Sequence, residues 1–250
     1  MSDFTDRTIL ITGGLGSLGS AQAELLAAQS PARLLLLDRP EEPGDGRAAS
    51  LAGRHGIDCR YLGHDLDDLE ATEALMKELG KQGGVDVVVT NAALIINKPF
   101  EEFSISEYEA QLRVNAAAAF AIVRGLAPSM KERRYGRIVT FTSLTLNGRW
   151  DGYVPYVASK GAVLGLTRSL ARELGPWGIR VNAVSPGAVV SDAERRVFGD
   201  RLEAYNAWIL ENQSLKERIA PEDVAELVMF LASDCSRMIT GQEFGINGGW

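Results

Sequence analysis

Seven short runs rich in β-branched and aliphatic residues are spaced along the chain. Between them lie longer stretches with an apolar residue at every third or fourth position. The runs at 8–12, 33–37, 59–62, 85–90, 137–142, 179–184 and 243–246 predict strands, most of them apolar enough to be buried on both faces. The intervening stretches predict helices at 20–28, 48–55, 69–79, 106–131 and 221–231, the last with Pro221 in its first turn. A further helix carries Tyr156 and continues through apolar positions 163, 164, 166, 170, 171 and 174. Strands alternating with helices predict an α/β fold, a doubly wound parallel sheet with helices on both faces, in one domain spanning 1–250. Two stretches break the rhythm. Residues 40–46 are turn-rich, and 188–213 carry charges and aromatics, including Arg195, Arg196, Phe198, Tyr205 and Trp208. That second stretch follows Ser185-Pro186-Gly187 at a strand end, so it predicts a lid over a ligand, or else a solvated helical hairpin.

The first strand runs directly into Gly13-Gly14-Leu15-Gly16-Ser17-Leu18-Gly19 and then a helix. Glycines in that context let the backbone approach a pyrophosphate, whose charge the helix N-terminus favours. Asp38 ends the second strand, 19 residues past Gly19. A carboxylate there accepts hydrogen bonds from ribose hydroxyls and repels a 2′-phosphate, which points to NAD over NADP, with Arg39 beside it as the feature that opposes this. Asp65-Leu66 follow the third strand, where Asp65 could meet an adenine amine. Alternatively, Asp65 or Asp67 caps the next helix. Asn91-Ala92-Ala93 follow the fourth strand and are small enough for close packing against a cofactor or within the strand end itself.

Tyr156 and Lys160 stand four apart and share one helix face. A phenol titrating near pH ~10 is a poor catalyst at neutral pH, and an adjacent ammonium is expected to lower that value. Ser143 ends the fifth strand 13 residues earlier, so both hydroxyls can converge on one substrate oxygen. Asn115 interrupts an alanine-rich helical stretch, where a buried amide requires partners. It either bonds a nearby carbonyl or bends the helix and holds a water.

With these pieces in this order, the chain resembles the short-chain dehydrogenase/reductase family over essentially its whole length. The resemblance implies a seven-stranded Rossmann fold, a nicotinamide cofactor, and a catalytic set of Asn115, Ser143, Tyr156 and Lys160. It implies cofactor contacts from Gly13, Leu15, Gly16, Ser17, Leu18, Gly19, Asp38, Asp65, Leu66, Asn91, Ala92, Tyr156, Lys160, Pro186, Gly187 and Val189. A homotetramer is implied in the same way. Two departures stand out. Ser17 occupies the middle glycine position of the short-chain pattern, and Ala93 stands where a glycine is usual. The C-terminal pieces at 212–219, 230–234 and 240–242, with Gly249-Trp250, resemble bacterial aldose 1-dehydrogenases of the xylose type, which oxidise a cyclic sugar to a lactone.

Ser143, Asn147, Arg149, Trp150 and Tyr156 are the candidate substrate contacts, with Tyr153 beside them. A tryptophan suits the apolar face of a sugar. Arg149 could grip an anionic substituent or be a solvated loop charge. Dehydrogenation or reduction of a secondary alcohol, hydroxy acid or 3-oxoacyl compound would use the same catalytic set. A non-catalytic nicotinamide sensor is expected to lack the tyrosine or the lysine, and both are present. The net charge of −7 argues against nucleic acid or an anionic membrane as partner. Residues 1–7 lack a basic and apolar leader, no apolar run reaches the ~18 residues of a membrane span, and Cys59 and Cys235 are far apart. Together these predict a cytoplasmic protein with reduced thiols. His55 and His64 show no metal-ligand spacing, so no metal is expected.

Overall fold

Seven parallel strands form one sheet in the order β3-β2-β1-β4-β5-β6-β7 in a computed structural model that describes residues 4–40 and 43–250. The leader reading at 1–3 and the middle of the turn-rich 40–46 stretch therefore lie outside the described residues. The strands are β1 (Thr8–Thr12), β2 (Arg33–Asp38), β3 (Asp58–Gly63), β4 (Val87–Thr90), β5 (Gly136–Phe141), β6 (Ile179–Pro186) and β7 (Glu243–Ile246). Alternate residues of each inner strand feed two apolar layers, as the two-residue period of a strand requires. Ile9, Ile11, Leu34, Leu36, Val87 and Val89 pack beneath helices α1 (Ser17–Ala27) and α9 (Pro221–Ala232). Leu10, Leu35, Val88, Ile138 and Val181 pack on the other face, against α3 (Leu69–Lys81), α5 (Ala118–Arg133) and α6 (Val154–Leu174).

Several element ends differ from the pattern-based expectation. Helix α1 begins at Ser17 rather than at residue 20, so Gly19 lies inside its first turn. Helix α2 (Gly44–His55) begins four residues early, because Gly44 packs on the Tyr61 ring so closely that a Cβ would lie 2.1 Å from it. Helix α3 is capped by Asp68, which accepts from the Ala71 amide at 2.9 Å, and not by Asp65 or Asp67. The expected single helix over 106–131 is α4 (Ile105–Leu112), a π-helical turn at Arg113–Ala117, and then α5. The 188–213 stretch forms α7 (Asp192–Phe198) and α8 (Leu202–Asn212).

Among the described residues no helix is long and apolar enough to cross a membrane. No group of three or more His, Cys, Asp or Glu among them is placed to hold a metal.

Candidate active site

The strand order reverses direction between β1 and β4, so the loops leaving these two strands diverge and open a crevice at the C-terminal edge of the sheet. The glycine turn sits there. Gly13 has φ +64°, a conformation that disfavours any side chain, and its backbone lies against Ala92. Asn91 and Ala92 hold this turn. The Asn91 amide donates to the carbonyls of Thr12 and Gly13 at 3.1 and 3.2 Å, and the Ala92 amide donates to the Thr12 hydroxyl at 3.2 Å. The Asn91 oxygen accepts from Gln22 of α1 at 3.3 Å, so Asn91 and Ala92 brace the glycine turn against the strand end and the helix.

The loop fits a pyrophosphate. Gly16 stands just ahead of helix α1 and caps it with no side chain, and the helix's first turn holds no acidic residue, so its first amides suit an anionic acceptor. A Cβ on Gly16 would meet nothing closer than the Gly13 carbonyl at 3.5 Å and would project into open space at this helix end. Gly19 serves packing instead, since a Cβ there would stand 2.0 Å from the Gly13 oxygen. Gly19→Ala is expected to force the loop open, lowering the melting temperature through an overpacking cost of about 1–3 kcal/mol. Dinucleotide affinity should fall at least tenfold. Thermal melts and a cofactor titration check this, and an unchanged affinity would remove the loop from the binding site.

Asp38 closes the outer side of the crevice. One carboxylate oxygen accepts from the Leu15 amide at 3.0 Å and the other from the Arg39 amide at 2.9 Å. The carboxylate is thereby oriented toward the glycine turn. Asp65 is exposed and accepts from the Asp67 amide at 3.0 Å, while Leu66 is buried in the sheet's second apolar layer. Beyond β6, the Gly187 amide donates to Ile246 at 2.9 Å, and Val189 forms an isolated parallel bridge with Ile219. These bonds fix Pro186, Gly187 and Val189 at the end of β6, against β7 and Ile219. Ser17 and Leu18 lie in the first turn of α1. The Ser17 hydroxyl donates to Asp192 of α7 at 3.0 Å and accepts from the Asp192 amide at 3.0 Å, so the residue that departs from the family pattern ties the glycine turn to the 188–213 stretch.

Tyr156 and Lys160 lie on α6, which Pro155 starts at its first turn. Both are buried, at 9% and 3% exposure. Burial pushes the Tyr156 phenol up to about 12, opposed by the Ser143 side chain, while the Tyr153 phenol adds a smaller upward push. Burial also pulls Lys160 down to about 8. The expected lowering of the tyrosine by the lysine is absent, because desolvation dominates the phenol. The ammonium is instead directed to the Phe141 carbonyl at 2.8 Å and stands 5.4 Å from the tyrosine ring centre.

Asn115 occupies the π turn, where one extra residue widens the helix and turns the amide inward. Its oxygen accepts from the Leu94 amide at 2.7 Å, and its nitrogen donates to the Leu94 carbonyl at 3.0 Å and to Ser159 at 2.9 Å. Its side chain thus makes three hydrogen bonds, to both backbone groups of Leu94 and to Ser159. The Ser159 hydroxyl passes the tie on to the Tyr156 carbonyl at 2.6 Å. Ser159 was missed in the sequence, although a serine on the buried face of a helix was the available signal.

The candidate substrate residues separate. Asn147 is exposed and accepts from the Arg149 amide at 3.1 Å. Arg149 is exposed and makes no ion pair with a described residue. Trp150 is stacked on Trp250 at 5.3 Å and meets Trp208 edge-on at 5.2 Å, with Tyr205 at 6.3 Å. Trp150 thus packs in an aromatic cluster shared with α8 and residue 250. Tyr153 stands nearer the centre, its ring 6.0 Å from that of Tyr156.

Comparison with known proteins agrees with this geometry. A family model described as enoyl-(acyl carrier protein) reductase matches residues 13–250. The chain is 34% identical over 248 residues to a probable galactose dehydrogenase of Rhizobium meliloti, covering 99% of this chain and 96% of that protein. It is 35% identical over 244 residues to D-xylose 1-dehydrogenase of Caulobacter vibrioides, covering 98% and 95%. A solved structure of a short chain dehydrogenase/reductase family protein superposes with a TM-score of 0.87 at 30% identity, covering 99% of this chain and 98% of that one. A glycine turn at the sheet's crevice, a buried tyrosine and lysine one helical turn apart, and likeness along the full chain thus make this protein an oxidoreductase of the short-chain dehydrogenase/reductase family, acting on CH–OH groups.

Proposed function

We propose that the protein is an NAD-dependent aldose 1-dehydrogenase that oxidises a cyclic sugar at its anomeric carbon to a lactone. The observation that carries this is the buried Tyr156 phenol, one helical turn from the buried Lys160, with the Ser143 side chain lowering its titration against the effect of burial. Full-length likeness to galactose and xylose dehydrogenases supports the sugar. The bound nicotinamide supplies a two-electron acceptor for hydride. The protein does the rest. Ser143 and Tyr156 hydrogen-bond the reacting hydroxyl, and Tyr156 takes its proton as general base. Lys160, whose burial weakens its hold on a proton, orients the cofactor's ribose and moves protons at the site. Asn115, through Ser159, fixes the helical turn that carries both. Asp38, oriented toward the glycine turn, favours NAD over NADP.

Residues 188–213 act as the lid, which the Ser17–Asp192 pair ties to the cofactor loop. The exposed Arg149 suits a carboxylate or sulfonate on the sugar, so anionic aldoses belong to the candidate substrates. The exposed apolar residues Phe100, Ile105, Tyr108 and Phe120 offer a surface that subunits of a homotetramer would cover. The free thiols Cys59 and Cys235 suit a cytoplasmic enzyme.

A spectrophotometric screen with NAD and, separately, NADP tests the reading against neutral aldoses, anionic sugars, secondary alcohols and 3-oxoacyl compounds. Strong NAD-dependent turnover of an aldose is expected. Activity confined to alcohols or 3-oxoacyl compounds would overturn the sugar assignment, and a preference for NADP would overturn the reading of Asp38.

A further inference from the structure

The chain leaves β4 as a segment outside the sheet, and three polar side chains of one helix face hold its alternate residues. Glu107, Gln111 and Asn115 are spaced four apart on α4 and the π turn. Asn115 pairs with both backbone groups of Leu94 at 2.7 and 3.0 Å. The Gln111 oxygen accepts from the Ile96 amide at 3.3 Å. The Glu107 carboxylate accepts both hydrogen bonds of the Lys98 ammonium, at 2.6 and 2.7 Å. The spacings agree because four helical residues advance about 6 Å and two residues of extended chain advance about 6.6 Å. The result is a three-rung zipper between a helix and a loop, running antiparallel.

The other edge of the same segment grips the loop ahead of Tyr156. The Asn97 amide donates to the Asp151 carbonyl at 3.1 Å, and the Lys98 backbone amide donates to the Gly152 carbonyl at 3.1 Å. Gly152 has φ +78°, and a Cβ on it would stand 2.5 Å from the Asn97 amide, so the two chains meet at glycine-only distance. Trp150 and Tyr153 flank this junction, and Tyr153 is the aromatic neighbour of Tyr156.

Gln111 is the informative rung. Its side chain is 0% exposed, and its Nε2 is buried without a hydrogen-bond partner. A half-paired amide in the interior carries a cost, and a leucine of similar size would remove it only by leaving the Ile96 amide unpaired. Retaining it makes sense where register matters more than burial. We propose that Gln111 and Asn97 are positioning residues that set, through residues 94–98, the place of the 150–153 substrate loop relative to Tyr156. The inference rests on the reading of Tyr156 as the reacting group, and not on which substrate it meets.

The test uses Gln111→Leu, Asn97→Ala and the double variant of the full chain. It reads hydrogen exchange of the amides at 151–153, KM and kcat for the best aldose of the wild-type screen, NAD affinity, and melting temperature. The expected result is roughly tenfold faster exchange and tenfold higher KM in each single variant, with kcat and NAD affinity within about twofold. Gln111→Leu should melt within a few degrees of wild type, because relief of the unpaired Nε2 is offset by the Ile96 amide left without its acceptor. The double variant should be no worse than the poorer single, because both break one mechanical link. Unchanged exchange with unchanged KM overturns the proposal. A lower melting temperature with unchanged KM overturns it too, since that is a purely structural role. If the wild type oxidises no aldose, the functional reading fails by itself. The exchange rates still decide the link, and the kinetics are then run on whichever alcohol is turned over.

Discussion

Tyr156→Phe is expected to lower kcat by about 10² to 10⁴, the usual worth of a positioned general base. NAD affinity should stay within about twofold and the melting temperature within a degree or two. The physical basis is local. The substitution keeps the ring that packs against Tyr153 and removes only the phenol. That phenol lies in a desolvated site that pushes its titration up to about 12, with the Ser143 side chain acting the other way. A neutral phenol at physiological pH donates to a substrate oxygen more readily than it accepts a proton. Oxidation should therefore accelerate as the pH is raised toward 10, and the phenylalanine variant should lose that pH dependence together with the rate. Stopped-flow turnover across pH 6–10 checks both. Retention of more than a tenth of the wild-type rate would remove Tyr156 from the chemistry.

Lys160→Met should abolish most turnover yet make the protein more stable at pH 7. Burial lowers the folded-state value of this lysine from 10.5 to about 8. Below pH 8 the folded protein therefore carries a charge that the unfolded chain holds at less cost, and the displacement corresponds to about 3 kcal/mol. Between pH 8 and 10.5 the unfolded chain binds more protons than the folded one, so this group makes stability rise with pH in that window. The penalty is complete below it and gone above it. Methionine keeps the packing but loses the hydrogen bond to the Phe141 carbonyl, leaving that acceptor short by about 1 kcal/mol. The net expectation is a gain of about 1–2 kcal/mol at pH 7, or roughly 2–8 °C in melting temperature for a chain of this size, shrinking toward zero by pH 10. Calorimetry at pH 7 and pH 10 measures it. Destabilisation at pH 7 would mean that the ammonium is held by favourable groups rather than borne as a cost. Together with lost turnover, the expected gain would show stability exchanged for function at one residue.

Much of this molecule was legible along the chain because its signals are local. Strand runs such as 8–12 and 33–37 appear in place, since a buried parallel strand announces itself by composition alone. The glycine turn, the Pro221 helix start and the four-residue spacing of Tyr156 and Lys160 each depend on neighbours a few positions away. Where the reading failed, distant residues decided. Gly44 lies in α2 under the Tyr61 ring and Gly19 in α1 against the Gly13 carbonyl, close approaches that only glycine allows and that the helical period does not display. The alanine-rich run around Asn115 reads as uninterrupted helix. The π turn becomes apparent only through bonds to Leu94 and Ser159, 21 and 44 residues away. The stacking of Trp250 on Trp150 likewise joins residues far apart in the chain. The sequence by itself determined the sheet, the cofactor loop and the identity of the candidate catalytic side chains, because periodicity and residue chemistry are properties of short segments. Tertiary structure alone decided how those side chains titrate and what holds them, because desolvation and hydrogen-bond partners are set by whatever the fold packs around each group.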